Sequence, residues 1–424
     1  MRAARLRRLL PVTLAALLPL SATALDEQLQ RERILAETRE MEGQIEHAGS
    51  LVGDTALDAY LQSVVDRLFP EATGTLRVRA YRNAEFNAFA VATGSLYINS
   101  GALLRLENES QLAAILGHEG GHVVRDHVYR FVSSAKTVST LSMVLSVAIT
   151  AAIGFDPLLG SMVGMSSMAG FSRENEREAD RMGFDRMVAT GYDPAAGEIV
   201  FGRLGRELQV RKVKQGPYFF ASHPKVAERV ANYREFAATV PAASPEDPAL
   251  FLATTNPARM SALGDIHTKA DGPLLIFLLE DEKLLASLPP EARFYLGEGY
   301  RLRNAEGDRN RATAAWRETV LAAPEFGPAY GALGFDALRT GDKARALDML
   351  GRFVELAPES RQAGYARQQI ALLRAELAPL PEEPVPAVAP AAEPPPAEAP
   401  VPALPGVPSP EAPPAESPPV ESPP

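Results

Sequence analysis

The sequence predicts an α+β protein: a mainly helical domain with a small antiparallel sheet, then an α-helical repeat domain, then a disordered tail. Three observations predict it. Apolar spacing switches from a helical period to strict alternation and back between residues 57 and 122; two stretches after residue 290 share one pattern of small and bulky side chains; and beyond Leu377 the chain is dominated by Pro, Ala, Glu, Val and Ser.

Taken in order, the elements begin with a basic start (Arg2, Arg5, Arg7, Arg8), an apolar stretch over 9–20 and Ser21-Ala22-Thr23-Ala24. This is the layout of a secretory signal peptide over 1–24, so the chain is expected in the periplasm, soluble or peripherally bound to membrane; the apolar stretch is short for a span, which leaves an uncleaved anchor as the lesser alternative. With no cysteine in the chain, disulfides, thiolate ligands and a lipidated cysteine are excluded. Residues 26–46 are charged and helical in pattern. Asp54 can cap a helix through Leu68 whose Leu57, Tyr60, Leu61, Val64, Val65 and Leu68 share one face. Residues 76–81 and 95–98 alternate like half-buried strands, with Gly94 at a turn. Gly94-Ser95-Leu96-Tyr97-Ile98 is expected to be an exposed edge that aligns an extended substrate. Asn108 and Gln111 form a capping pair for the next helix.

That helix carries His118-Glu119-Gly120-Gly121-His122. The two histidines lie about 40° apart and one turn along, so both imidazoles reach one metal ion while Glu119 sits beside its water. The alternative is simply a polar helix face. A zinc ion that activates water takes three protein ligands and keeps one position open, so one ligand is missing. Glu174-Asn175-Glu176-Arg177-Glu178-Ala179-Asp180, on a helix expected from about residue 174 to 189, supplies candidates. Glu176 with Asp180 four residues on is the cleaner pair, Asp180 being placed to orient a ligating imidazole; Glu174 and Glu178 compete for the ligand role. A solvated acidic face balanced by Arg173, Arg177 and Arg181 is the other reading. His127 falls about 140° off the ligand face of a continuous helix and reads as a structural histidine.

Asn87-Ala88-Phe89-Ala90, Gly94-Ser95-Leu96-Tyr97-Ile98, His118-Glu119-x-x-His122, Ser172-Arg173-x-x-Glu176-x-x-Ala179-Asp180 and His223-Pro224 occur in the order found in HtpX-like zinc metallopeptidases. The chain resembles this family over roughly residues 30–375, and most of all its periplasmic BepA-like branch, which joins such a domain to tetratricopeptide repeats. The resemblance implies a gluzincin-type domain holding one Zn²⁺, with His118, His122 and Glu176 as ligands, Glu119 as general base and Asp180 behind a ligand. It also implies that His223 sits near the metal, where it can fill the open position and hold the enzyme latent. Without the family, a lone histidine before proline reads as a turn residue. Gly120 departs from the family, whose members usually carry a bulky apolar residue there. Two adjacent glycines cost about 1 kcal/mol each relative to alanine, so a softer ligand helix is expected.

These patterns divide the chain into a peptidase domain over 25–240, a helical connector over 241–289, tetratricopeptide-like repeats over 290–377 and the tail over 378–424. Within the repeats, Tyr330, Leu333, Gly334, Ala346, Leu350 and Pro358 fit one unit, and Leu296, Gly297, Tyr300, Ala312, Trp316 and Pro324 an earlier one with about three extra residues between its helices. Their concave face would bind a protein; a purely stabilising helical annex is the alternative. Between the metal motifs, residues 138–154 are almost uncharged and 157–170 are rich in Met, Gly, Ser and Leu. They read either as two buried helices or as a hydrophobic surface that meets unfolded substrate, a membrane or a partner. The net charge of −10 and the lack of a basic face exclude nucleic-acid binding. The expected function is zinc-dependent endoproteolysis of misfolded or stalled envelope proteins, with outer-membrane assembly machinery as a candidate partner through the repeats. The alternative is a chaperone or assembly factor with little or regulated proteolysis.

Overall fold

The computed structural model describes residues 22–133, 171–211, 226–244 and 246–378 of the 424-residue chain. Most of the expected signal peptide, the segment 138–170, His223 and the tail from residue 379 lie outside the described residues.

Helix α1 (Ala22–His47) is charged along most of its length and buries one stripe, Ile34, Thr38, Met41 and Ile45. Helix α2 (Thr55–Leu68) is capped as expected: the Asp54 carboxylate accepts from the amides of Ala56 and Leu57 at 2.9 and 3.1 Å. Its buried face is the six residues the period picks out.

Strands β1 (Arg77–Tyr81), β2 (Ala88–Ala90) and β3 (Ser95–Asn99) form a sheet in the order β1-β3-β2. Two expectations are corrected here. The sheet is mixed, because β3 pairs antiparallel with β2 through the Gly94 turn and parallel with β1. And β3 is the central strand, not an edge: all five of its residues are buried and both flanks are taken by other strands. A strand with partners on both sides has no free row of amides for a substrate. The open edge belongs to β2, a three-residue strand too short to show alternation in the sequence.

The chain then enters α3 (Ser100–Leu104) and α4 (Glu109–Val124), the latter buried at every residue from Ser110 to His122. Asn108 accepts from the Gln111 amide at 3.0 Å while Gln111 Oε1 accepts from the Glu107 amide at 2.9 Å, a reciprocal cap. After a reversal at Arg125 and Asp126, the latter at φ +59°, α5 (His127–Ser133) begins. Helices α6 (Arg173–Ala189), α7 (Ala196–Arg211) and α8 (Val226–Ala237) complete the surroundings of α4. The approach of α4 and α6 requires glycine: a Cβ on Gly183 would lie 2.8 Å from the Gly117 carbonyl carbon. Gly120 is equally confined, since a Cβ there would fall 2.4 Å from the Phe69 ring. Phe69 thus fills the volume that a bulky residue at 120 would take, and this packing opposes the softness expected from adjacent glycines.

Helices α9 (Ala249–Thr268), α10 (Gly272–Leu279) and α11 (Glu282–Ala286) come next. Phe251 and Ala258 of α9 belong to the same apolar core as Leu61, Leu112 and Phe184, and a second core joins Ala84 and Leu104 to Leu263, Leu274 and Ala292. The helices of the segment after residue 240 are therefore packed into the domain of the sheet and α4. Five further helices, α12 (Ala292–Arg303), α13 (Asp308–Ala322), α14 (Gly327–Thr340), α15 (Lys343–Leu356) and α16 (Ala363–Leu377), pack in sequence order, α12 on α13 and α14 on α15. No helix among the described residues is long and apolar enough to cross a membrane.

Candidate metal centre

One turn of α4 and the first turns of α6 bring His118, His122 and Glu176 together, all three buried. Nε2 of His118 and Nε2 of His122 are 3.1 Å apart, and the Glu176 carboxylate oxygens lie 3.4 Å from His122 Nε2 and 3.7 Å from His118 Nε2. Four ligands at about 2.1 Å in a tetrahedron are about 3.4 Å from one another, so the two Nε2 atoms and the Glu176 carboxylate are spaced as one face of a zinc coordination sphere would be. Two imidazoles and a carboxylate are also the donor set that zinc accepts while keeping a fourth position open.

Each imidazole is held from behind. Nδ1 of His118 lies 2.9 Å from Asp180 Oδ1, so a buried carboxylate stands behind the ring, on the side away from the cluster. Asp180 is in turn gripped by Arg229, whose Nε and Nη2 lie 3.0 and 2.9 Å from Oδ1, with Asn232 Nδ2 3.4 Å from Oδ2. Burial pushes the Asp180 carboxyl up, and the Arg229 guanidinium is the charge that opposes it. Burial also works against the charge on Arg229, but the Asp180 and Glu176 carboxylates outweigh it and raise its pKa. The guanidinium stacks over Phe201, 3.7 Å from the ring centroid.

His122 is held differently. Its Nδ1 lies 3.1 Å from Nδ1 of His127, and His127 Nε2 lies 3.1 Å from Glu178 Oε2. Phe171 stacks on the His122 ring at 4.0 Å between centroids. Burial lowers the His127 pKa despite the opposing effect of Glu178. Glu119 is buried beside His118 on α4.

The profile of peptidase family M48 matches residues 55–237, which enclose this cluster. Residues 55–237 form an M48 peptidase domain. Similar proteins are named as proteases. The chain is 29% identical over 201 residues to the beta-barrel assembly-enhancing protease of Escherichia coli, a match covering 45% of this chain and 41% of that protein. It is 28% identical over 159 residues to the metalloprotease LoiP of the same organism, covering 37% and 61% respectively. To the mitochondrial metalloendopeptidase OMA1 of Arabidopsis thaliana it is 29% identical over 120 residues, covering 28% and 24%. The chain thus spans less than half the length of the assembly-enhancing protease.

Of the residues singled out in the sequence, the M48 domain brings together His118, His122, Glu176 and Asp180 and places Glu119 among them on α4. Glu178 contacts His127 instead of the cluster, and Glu174 lines a charged surface groove with Arg125 and Arg181. His127, which reads as merely structural in the sequence, touches His122. Arg229 and Asn232 escape sequence reasoning, and only their position after the acidic cluster hints at a role.

Proposed function

We propose that the chain is a zinc-dependent endopeptidase acting on unfolded or misassembled envelope proteins. The reading is carried by the triangle of His118, His122 and Glu176, with the Asp180 carboxylate 2.9 Å behind His118, and it is supported by the M48 domain around it. Zinc bound by those three residues would lower the pKa of its water toward 7 and polarise a scissile carbonyl. Glu119 takes the proton from the attacking water and delivers it to the leaving amine. An extended substrate would pair with the open edge of β2: Phe89 faces Tyr97 of β3 in the ladder, so the amides and carbonyls of Ala88 and Ala90 point to the other side.

Glu119→Gln should keep zinc and fold while casein cleavage falls by about 10²–10⁴-fold, the contribution of a general base. Zinc content and initial rate measured on one sample check this, and wild-type cleavage by the variant would remove the mechanism. His223, by the family resemblance, restrains the enzyme. His223→Ala should then raise the initial rate on an unfolded substrate at equal zinc content, whereas a fall in rate would assign His223 to transition-state stabilisation.

A second reading has its own support. The relatives' name, beta-barrel assembly-enhancing protease, joins assembly to proteolysis. In this chain a Cβ on Gly297 would meet Trp316 at 2.4 Å and one on Gly334 would meet Leu350 at 2.7 Å, the same small-against-bulky contact in two successive helix pairs, as in tetratricopeptide units. These helices would bind clients or an outer-membrane assembly complex in the periplasm, with cleavage held in reserve.

A further inference from the structure

The two histidines of α4 are oriented by unlike means. His118 leans directly on a buried carboxylate, whereas at Nδ1 of His122 a third imidazole stands in the corresponding place. His127 is fully buried, and its far nitrogen meets Glu178, which is 39% exposed and also 3.2 Å from Arg125 Nε.

A carboxylate only accepts, so the 3.1 Å contact with Glu178 puts the single proton of a neutral His127 on Nε2. Nδ1 of His127 is then a bare acceptor. The 3.1 Å contact between the two Nδ1 atoms is a hydrogen bond only if His122 carries its proton on Nδ1, and that leaves the Nε2 lone pair of His122 facing His118 and Glu176. One carboxylate thereby sets two tautomers in series. The chain reaches this geometry because α4 stops at Val124 and the left-handed Asp126 turns it back, which returns residue 127 to the face that a continuous helix would carry it away from.

We propose that His127, fixed by Glu178, is the positioning residue for His122, and that the series Glu178, His127, His122 sets the affinity of the centre for zinc. The assignment rests on the zinc reading of the His118, His122 and Glu176 cluster. Contacts to the far nitrogen of a ligating imidazole typically change metal affinity by about 10–100-fold when lost.

The test uses the full chain, stripped of metal and titrated with zinc against a chromophoric chelator. His127→Ala should weaken zinc binding about 10–100-fold. His127→Asn should restore most of it, since the amide oxygen of asparagine reaches the position of the imidazole Nδ1 and accepts from His122 without help from Glu178. Glu178→Ala, at a partly exposed site that tolerates truncation, should weaken binding in the His127 background and change nothing in the His127→Asn background. Wild-type affinity in either alanine variant, or an asparagine variant as weak as His127→Ala, would overturn the series while leaving the zinc centre standing. A wild-type chain that takes up no zinc would overturn both.

Discussion

The surroundings of α4 and the five helices α12–α16 are both helical, yet they bury different chemistry. Around α4 the interior holds His118, Glu119, His122, His127, Glu176, Asp180 and Arg229, with Arg105 and Glu207 paired nearby at 2.6 and 2.8 Å. From residue 292 on, the buried polar side chains among the described residues are Glu298, Asp308 and Thr319, and pairs such as Lys343–Glu376 and Arg352–Glu355 sit at the surface. Charge inside a protein persists only where another group answers it. The M48 domain therefore adds a set of mutually dependent polar groups to its apolar core, whereas the C-terminal helices rest mainly on apolar packing.

The sharpest way to break this contrast is Arg229→Met. It keeps much of the volume but leaves Asp180 without its guanidinium, and should cost about 3–5 kcal/mol in urea unfolding, with weaker zinc binding alongside. A loss below about 1 kcal/mol would show that Asp180 does not depend on Arg229.

Glu298 is the intermediate case. Burial alone would raise its pKa, but His267 at 2.8 Å and Arg301 hold it below the usual carboxylate range. With a lower pKa in the folded chain than in the unfolded one, its contribution is present above about pH 4.3 and fades as pH falls through that value to the folded pKa. Glu298→Gln should therefore cost about 1–2 kcal/mol at pH 7, and the gap to wild type should close in acid. A gap independent of pH would mean that packing, not charge, is lost.

The smallest effect belongs to Glu355→Ala. Its partner Arg352 is 2.9 Å away and both are exposed on α15, so the unfolding free energy should move by no more than about 0.5 kcal/mol. A larger shift would place an energetic role on the surface of the C-terminal helices and blunt the comparison.

Much of the site is legible in the sequence because its parts are local. The spacing of His118 and His122, the Asn108 and Gln111 cap, and the Glu176 and Asp180 pair each lie within one or two helical turns, where sequence separation translates into geometry. Misreadings come from places where that translation stops. Counting along a continuous helix puts His127 off the ligand face, but the helix ends at Val124. The parallel pairing of β1 with β3 follows from a three-residue strand that intervenes in sequence and takes the far side of β3. Arg229 reaches Asp180 across 49 residues, and neither periodicity nor a motif reports a contact of that span.

Glu246 gives the architecture a direction in time. Lying between α8 and α9, its carboxylate accepts from the amides of Glu109 and Ser110 at 2.7 and 3.1 Å and from the Ser110 hydroxyl at 2.6 Å, closing the first turn of the helix that bears His118 and His122. The clamp arrives 137 residues after the helix start it secures. As the chain leaves the ribosome from its N-terminus, α4 and α6 both emerge before Glu246 does. Securing those two amides of α4 thus waits for a segment beyond the 55–237 match, and a chain cut short at residue 240 would carry every residue of the cluster with the Asn108 cap in place but the Glu109 and Ser110 amides without their carboxylate.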